Sequence, residues 1–191
     1  TYNGGYMSQR HSLLQQIDRE NVDQLELKWV LQNQVFGAWQ SNPIIVDGIM
    51  YVTERPNSVM AVDAVTGRVF WKYRHQNADN ALVCCGANNR GVAVLNDKVY
   101  MGTLDAHLIA LDRINGHVLW KAAVGDVNRA YSVRIAPLAV KDKIIVGVGG
   151  GEFGIRGYVA AFDAETGEQA WKTYTIPAPG EPNHDSWEGD D

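Results

Sequence analysis

Ala61-Val-Asp-Ala-Val-Thr-Gly-Arg-Val-Phe-Trp71 returns as Ala110-Leu-Asp-Arg-Ile-Asn-Gly-His-Val-Leu-Trp120 and as Ala161-Phe-Asp-Ala-Glu-Thr-Gly-Glu-Gln-Ala-Trp171. The three Trp residues are 49 and 51 residues apart. Leu27-Lys28-Trp29, 42 residues before Trp71, reads as the end of an earlier copy. A period of this size built from short apolar runs is the signature of a propeller with four strands to each blade. Within a copy, Ala-x-Asp ends one strand. The Asp can accept hydrogen bonds from the amides that follow, and Gly67, Gly116 and Gly167 can take the positive φ that reverses the chain. The Trp is expected to end the next strand and to cover the seam between two blades.

Each copy is preceded by a hairpin. Ile44-Ile-Val-Asp-Gly-Ile-Met-Tyr-Val52 turns at Asp47-Gly48, Val92-Ala-Val-Leu-Asn-Asp-Lys-Val-Tyr100 at Asn96-Asp97, and Leu138-Ala-Val-Lys-Asp-Lys-Ile-Ile-Val146 near Lys141-Asp142. Hairpin plus hairpin makes one blade. The expected fold is therefore an all-β propeller of four-stranded antiparallel blades. Blades are placed at residues 33–78, 79–128 and 129–178, after an N-terminal segment and closing strand at 1–32 and before the start of a further segment at 179–191. A propeller closes with about four to eight blades, so three copies imply a fragment of a longer ring. Residues 12–25 read as a short helix that Asp18 or Asn21 could cap.

Composition narrows the function. Apolar residues are 46% of the 191, enough for a buried core. Seventeen basic residues against 22 acidic ones, with no Lys/Arg cluster, argue against a nucleic-acid partner. No apolar run reaches the roughly 18 residues of a membrane span. His11, His75, His107, His117 and His184 show no ligand spacing and are expected to be exposed. No Ser-His-Asp or paired-carboxylate arrangement is present, so no catalytic residue is assigned within the chain.

Three features exceed what the repeats need. Val83-Cys84-Cys85-Gly86 holds the two cysteines of the chain. Neighbouring α-carbons are about 3.8 Å apart, below the usual disulfide span of about 4.4 Å. The pair is either two buried thiols or a strained bond between neighbours. Without Cys-x-x-Cys-His, no covalent haem site exists. The second feature is Gly147-Val-Gly-Gly-Gly-Glu-Phe-Gly-Ile-Arg-Gly157. It reads as a flexible loop, or as a cradle in which Gly149, Gly150 and Gly151 admit a flat ligand and Glu152 offers a hard oxygen to a cation. The third is Gln40, Arg90 and Arg134, each just ahead of a predicted innermost strand, either facing the propeller axis or forming ion pairs at blade edges.

Together, the vicinal cysteines, Gly150-Gly-Glu-Phe-Gly-Ile-Arg-Gly157 and the Trp repeats resemble the PQQ-dependent (quinoprotein) alcohol and methanol dehydrogenases. The resemblance runs from Tyr2-Asn-Gly-Gly-Tyr-Met-Ser-Gln-Arg-His-Ser12 to His184-Asp-Ser-Trp187. It implies an eight-bladed, periplasmic propeller of which this chain is the N-terminal part. It implies a disulfide between Cys84 and Cys85 lying against PQQ, Arg90 as a PQQ contact, Gly149 to Gly151 beside the cofactor, and Glu152 as a ligand of Ca²⁺ or a lanthanide. It further implies oxidation of an alcohol substrate, a base Asp beyond residue 191 and electron transfer to a cytochrome c. A homodimer is compatible with it. Two positions depart from the family pattern. Gln40 stands where a PQQ-contacting Glu is common, and Arg134 replaces the Thr of Ser-Ile-Thr-x-Ala-Pro. Arg134 could pair with a carboxylate of PQQ or fill its place. The alternative function is a non-catalytic propeller of the same repeat acting as a periplasmic scaffold or binding protein, which would not need Cys84, Cys85 or Glu152.

Overall fold

The computed structural model describes residues 3–186. Tyr2 and Trp187, at the two ends of the resemblance, and the last residues of the 179–191 segment lie outside them. Three four-stranded antiparallel sheets follow one another. The first holds β1 (Ile44–Val46), β2 (Ile49–Glu54), β3 (Ser58–Asp63) and β4 (Val69–Arg74). The second holds β5 (Val92–Leu95), β6 (Lys98–Gly102), β7 (His107–Asp112) and β8 (Val118–Ala123). The third holds β9 (Leu138–Val140), β10 (Lys143–Gly147), β11 (Tyr158–Asp163) and β12 (Gln169–Tyr174). Strand order within each sheet is sequence order, so β1, β5 and β9 form one edge of the blades and β4, β8 and β12 the other. The first strands touch, β1 against β5 and β5 against β9, and so form the inner edge.

The three predicted hairpin turns close between the pairs Val46 and Ile49, Leu95 and Lys98, and Val140 and Lys143. Asp47, Asn96 and Lys141 enter them with φ of 51°, 54° and 55°. The repeat turns are equally uniform. Asp63 Oδ1 accepts from the amides of Val65 (2.8 Å) and Thr66 (3.1 Å), Asp112 Oδ1 from Ile114 (2.8 Å) and Asn115 (3.0 Å), and Asp163 Oδ1 from Glu165 and Thr166 (both 3.0 Å). The Val65 and Thr66 amides hold the Asp63 carboxyl below its ordinary range. Each sheet also carries one bulge at the same place, after Ala61, Ala110 and Ala161.

The seams are the core. Tyr51, Val59, Ala61 and Trp71 of the first blade bury against Val92, Val99, Met101, Ile109 and Leu111 of the second. From the other face of the second blade, Tyr100, Leu108 and Ala110 pack on Ile144, Val146, Tyr158, Ala160 and Phe162 of the third. The middle blade is thus covered on both faces, and all five residues of β6 are buried. That is why β6 and the middle of β7 are buried continuously instead of in alternation, while the outer strand β8 stays largely exposed. Each fully buried Leu, Ile or Phe side chain contributes about 1.5–3 kcal/mol.

One interaction repeats at every seam. The Trp29 indole covers Gly67 and donates to Ala64 O (3.1 Å), Trp71 covers Gly116 and donates to Arg113 O (3.0 Å), and Trp120 covers Gly167 and donates to Ala164 O (3.1 Å). Each Trp seals a seam as expected, but does not end its strand. Lys72, Tyr73 and Arg74 continue β4 by pairing with Met60, Val59 and Ser58.

Three further expectations differ. Residues 12–25 form no α-helix, only a 3₁₀ turn at Val22–Gln24. Asp18 Oδ1 bonds the amides of Glu20 (2.8 Å) and Asn21 (3.2 Å), an Asx turn that competes with a helix. Leu13, Leu14 and Ile17 are exposed, so no packed face sustains one. Residues 3–43 hold no strand, since none of the three sheets pairs with them, and the segment expected to close a blade runs as irregular chain anchored by Trp29. His75, His107 and His184 are partly buried instead of exposed, the first two because both pack on Asp105.

Gly48 and Gly116 separate backbone strain from the indole contact, since φ is +75° and +74° but only Gly116 lies under a ring. Replacing Gly116 by Ala should lower stability more than Gly48→Ala, by about 1–3 kcal/mol, in urea denaturation. Equal losses would remove the indole from the account.

Candidate functional site

In an antiparallel blade the chain entering the first strand, the loop between second and third strands, and the chain leaving the fourth all lie at one end. Every residue singled out beyond the repeats belongs to such a segment. Gln40, Arg90 and Arg134 precede β1, β5 and β9. Cys84 and Cys85 lie between β4 and β5. Gly149, Gly150, Gly151 and Glu152 lie between β10 and β11.

The segments entering the inner strands are bonded into a staircase. The Asn42 amide donates to Arg90 O (3.5 Å) and the Arg90 amide to Arg134 O (3.0 Å). Thr53 links Ser41 Oγ (2.8 Å) to Asn89 O (3.2 Å). Gly91, at φ +131°, allows the tread between them: a Cβ there would stand 3.4 Å from both Asn42 O and Ala136 Cβ. Backbone spacing thus fixes where the side chains of Arg90 and Arg134 begin.

Cys84 and Cys85 are joined by a disulfide between chain neighbours, with α-carbons 3.8 Å apart and Cys85 in the left-handed region at φ 60°. The expected alternative of two free thiols is therefore set aside. Both Sγ atoms and a Glu152 carboxylate oxygen lie within 4.8 Å of one another. Cys85 and Glu152 are exposed and Cys84 half-buried, so the bond forms an open platform. Arg134 donates from a terminal nitrogen to Gly86 O, directly after the disulfide. Burial and then the neighbouring Arg90 charge lower the Arg134 pKa, while Glu152 opposes them. The two guanidiniums and the carboxylate therefore share one local field.

The glycine segment is shaped by close approach. Gly149 pairs with Ser132 through two backbone bonds (2.8 and 3.0 Å). Gly150, at φ +126°, sits on Ala130 O with no room for a Cβ. A 3₁₀ turn at Gly151–Phe153 then presents Glu152. Gln40 is exposed ahead of β1, and among the described residues its side chain makes no hydrogen bond to the cluster. The structure thus brings together Cys84, Cys85, Arg90, Arg134 and Glu152 on the glycine segment, and leaves Gln40 at its margin.

Sequence reasoning missed Arg55 and Asn88. Arg55 donates to Ala87 O (3.4 Å) and Phe36 O (3.3 Å), bracing the loop behind the disulfide. Asn88 is buried beside Gly86, with Oδ1 unpartnered. The signal for Arg55 was available, because it occupies the loop after β2 that corresponds to the Glu152 loop after β10.

Whether a flat polycarboxylate and a cation fit can be tested on these atoms. Arg134 Nε is buried without a partner, a donor that a carboxylate would satisfy. Two guanidiniums against one carboxylate leave the site positive. Glu152 offers an exposed hard oxygen, and the disulfide offers a flat apolar surface. PQQ and a metal ion fit this donor set.

The whole chain, residues 1–191, matches the PQQ family described as glucose/ethanol/alcohol dehydrogenase, beta-propeller domain. It is 44% identical over 174 residues to quinohemoprotein alcohol dehydrogenase ADH IIB of Pseudomonas putida, covering 90% of this chain and 25% of that protein. It is 43% identical over 194 residues to the dehydrogenase subunit of alcohol dehydrogenase (quinone) of Komagataeibacter europaeus, covering 96% of this chain and 26% of that one. A solved europium-containing methanol dehydrogenase superposes with a TM-score of 0.86 at 39% identity, covering 93% of this chain and 32% of that one. The chain thus spans about a quarter to a third of the length of these relatives. It belongs to the PQQ-dependent alcohol dehydrogenase family.

Reduction of the unfolded protein should add about 2 Da, the two hydrogens of one disulfide, with the native protein's oligomeric state unchanged by the same treatment. No mass change would mean that Cys84 and Cys85 are free thiols.

Proposed function

We propose that this chain is the PQQ-binding part of a quinoprotein alcohol dehydrogenase that oxidises primary alcohols with PQQ and a Ca²⁺ or lanthanide ion. The observation that carries the proposal is the convergence of the Cys84–Cys85 disulfide, Glu152 and the unpartnered Arg134 Nε on one open platform. A scaffold propeller would use the Trp seams but has no need of that convergence.

In this reading, Cys84–Cys85 supports one face of the cofactor ring. Arg90 and Arg134 pair with its carboxylates through charge-assisted hydrogen bonds. Gly149, Gly150 and Gly151 let the backbone approach the ring edge, and Glu152 holds the metal ion. Gln40 stands near enough in sequence to the Asn42–Arg90 step to offer a neutral amide from the margin. When bound, PQQ accepts the two electrons of the alcohol, with the metal ion polarising a quinone carbonyl as a Lewis acid. The chain's own work is to fix, orient and charge-balance the cofactor. The proton-accepting Asp is placed outside this chain.

The words "dehydrogenase subunit" in the name of the Komagataeibacter europaeus relative support an electron-accepting partner, for which a cytochrome c is proposed. A bond between neighbouring cysteines is at home in an oxidising compartment, which supports a periplasmic location.

The intact protein, supplied with PQQ, Ca²⁺ or a lanthanide and a primary alcohol, should reduce an artificial electron-accepting dye. Glu152→Gln should weaken metal-dependent turnover by at least about tenfold, and Arg134→Ala should weaken PQQ binding measured by fluorescence. No turnover across a panel of primary alcohols, with folded protein and bound PQQ, would reject the enzymatic reading.

A further inference from the structure

The seam between the first two blades carries a second cluster that the cofactor platform does not use. His75 directly follows β4, held by its amide to Asn57 O (2.8 Å). Asp105 lies in the β6–β7 loop and His107 opens β7. His75 Nε2 is 2.9 Å from both Asp105 oxygens, and His107 Nδ1 is 3.4 Å from Asp105 Oδ1. The three ligand atoms all lie within 4.8 Å of one another.

We propose that His75, Asp105 and His107 form a binding site for a divalent transition-metal ion of the zinc type, separate from the Glu152 platform. Two imidazoles and a carboxylate are a ligand set that suits Zn²⁺. Ligands about 2.0–2.1 Å from one tetrahedral ion stand about 3.3 Å from each other. The separations of 2.9 and 3.4 Å bracket that edge.

A second observation points to a ligand. His107 Nδ1 is buried at the atom level yet has no hydrogen-bond partner, although it stands beside a carboxylate. A ring nitrogen so placed is satisfied by a cation shared with Asp105. The carboxylate is already oriented, accepting from Thr103 Oγ1 (2.5 Å) and the Ala78 amide (3.2 Å). Metal entry displaces the proton that His75 Nε2 shares with Asp105 and releases it to solvent.

The position gives the ion a role. Trp71, near the start of β4, sits on Gly116 beyond the end of β7. His75 and His107 stand at the opposite ends of the same two strands. An ion there fastens the second end of a seam whose first end the indole already closes. Thr103 O also accepts from the Val133 amide (2.8 Å), next to Arg134, so the clasp adjoins the platform without sharing a ligand with it.

The test uses the intact, PQQ-free protein after dialysis against a chelator, titrated with Zn²⁺ in competition with a chromogenic chelator. The wild type should take up one equivalent. His75→Ala and His107→Ala should each weaken uptake by at least about tenfold, while Glu152→Gln should retain it. No uptake by the wild type, or uptake unchanged in both His variants, would overturn the proposal. If either variant does not fold, X-ray absorption of the zinc-loaded wild type decides: two imidazoles at about 2.0–2.1 Å are expected, and one or none would overturn it. Because PQQ and alcohol are absent, this result stands or falls independently of the dehydrogenase reading.

Discussion

An indole lying on a glycine is the contact on which the rest of this chain depends. A four-stranded sheet has two faces to cover, and here each blade covers its faces with its neighbours. Trp29, Trp71 and Trp120 set the spacing of that contact, since each ring fills the space a Cβ would take at Gly67, Gly116 and Gly167. The same rings spend their one polar atom on the carbonyls of Ala64, Arg113 and Ala164. The seat therefore fixes both distance and rotation between blades, where apolar packing alone would allow sliding. Trp171 is the informative contrast. It ends the third copy and is 43% exposed, because among the described residues no glycine lies beneath it.

Blade spacing becomes chemistry through the staircase of Asn42, Arg90 and Arg134. Each step is a backbone bond between segments entering adjacent inner strands, so the side chains rise from positions the seams have already determined. Chain entry to first strands and the loops after second strands lie at one end of the blades. That is why residues from 84 to 152 meet there although the repeats that separate them are devoted to packing. Arg55, the Asp105 loop and the Glu152 loop occupy the same place in successive blades, where strand geometry is finished and sequence is free to vary.

The sequence made the blades legible because their signals are local and redundant. A turn needing positive φ, an Asp two residues before its amides and a Trp at fixed distance each restate one geometry three times. The platform was legible in a different way, through the rarity of adjacent cysteines and a glycine run ending in Glu152. What stayed hidden was whatever depends on partners distant in the chain. Asx turns around Asp18 override the helical pattern of residues 12–25, and pairing with Met60, Val59 and Ser58 extends β4 past its Trp. His75 and His107, 32 residues apart, have no ligand spacing in sequence. Only the seam brings them both to Asp105.

The polar side chains around the platform point in one electrostatic direction. Gln40 at the margin is neutral, and Arg134 adds a second positive charge beside Arg90. Arg134 is held partly buried beside Arg90, and burial and that neighbouring charge lower its pKa while Glu152 opposes them. Its bond to Gly86 O occupies one guanidinium nitrogen and leaves Nε without a partner. In the proposed holoenzyme, a polycarboxylate ligand would turn repulsion between the arginines into attraction for a shared partner. Arg134 has its backbone bonded to Arg90 and its tip bonded to the disulfide loop, so in the proposed reading ligand charge, disulfide and blade spacing would meet in one side chain.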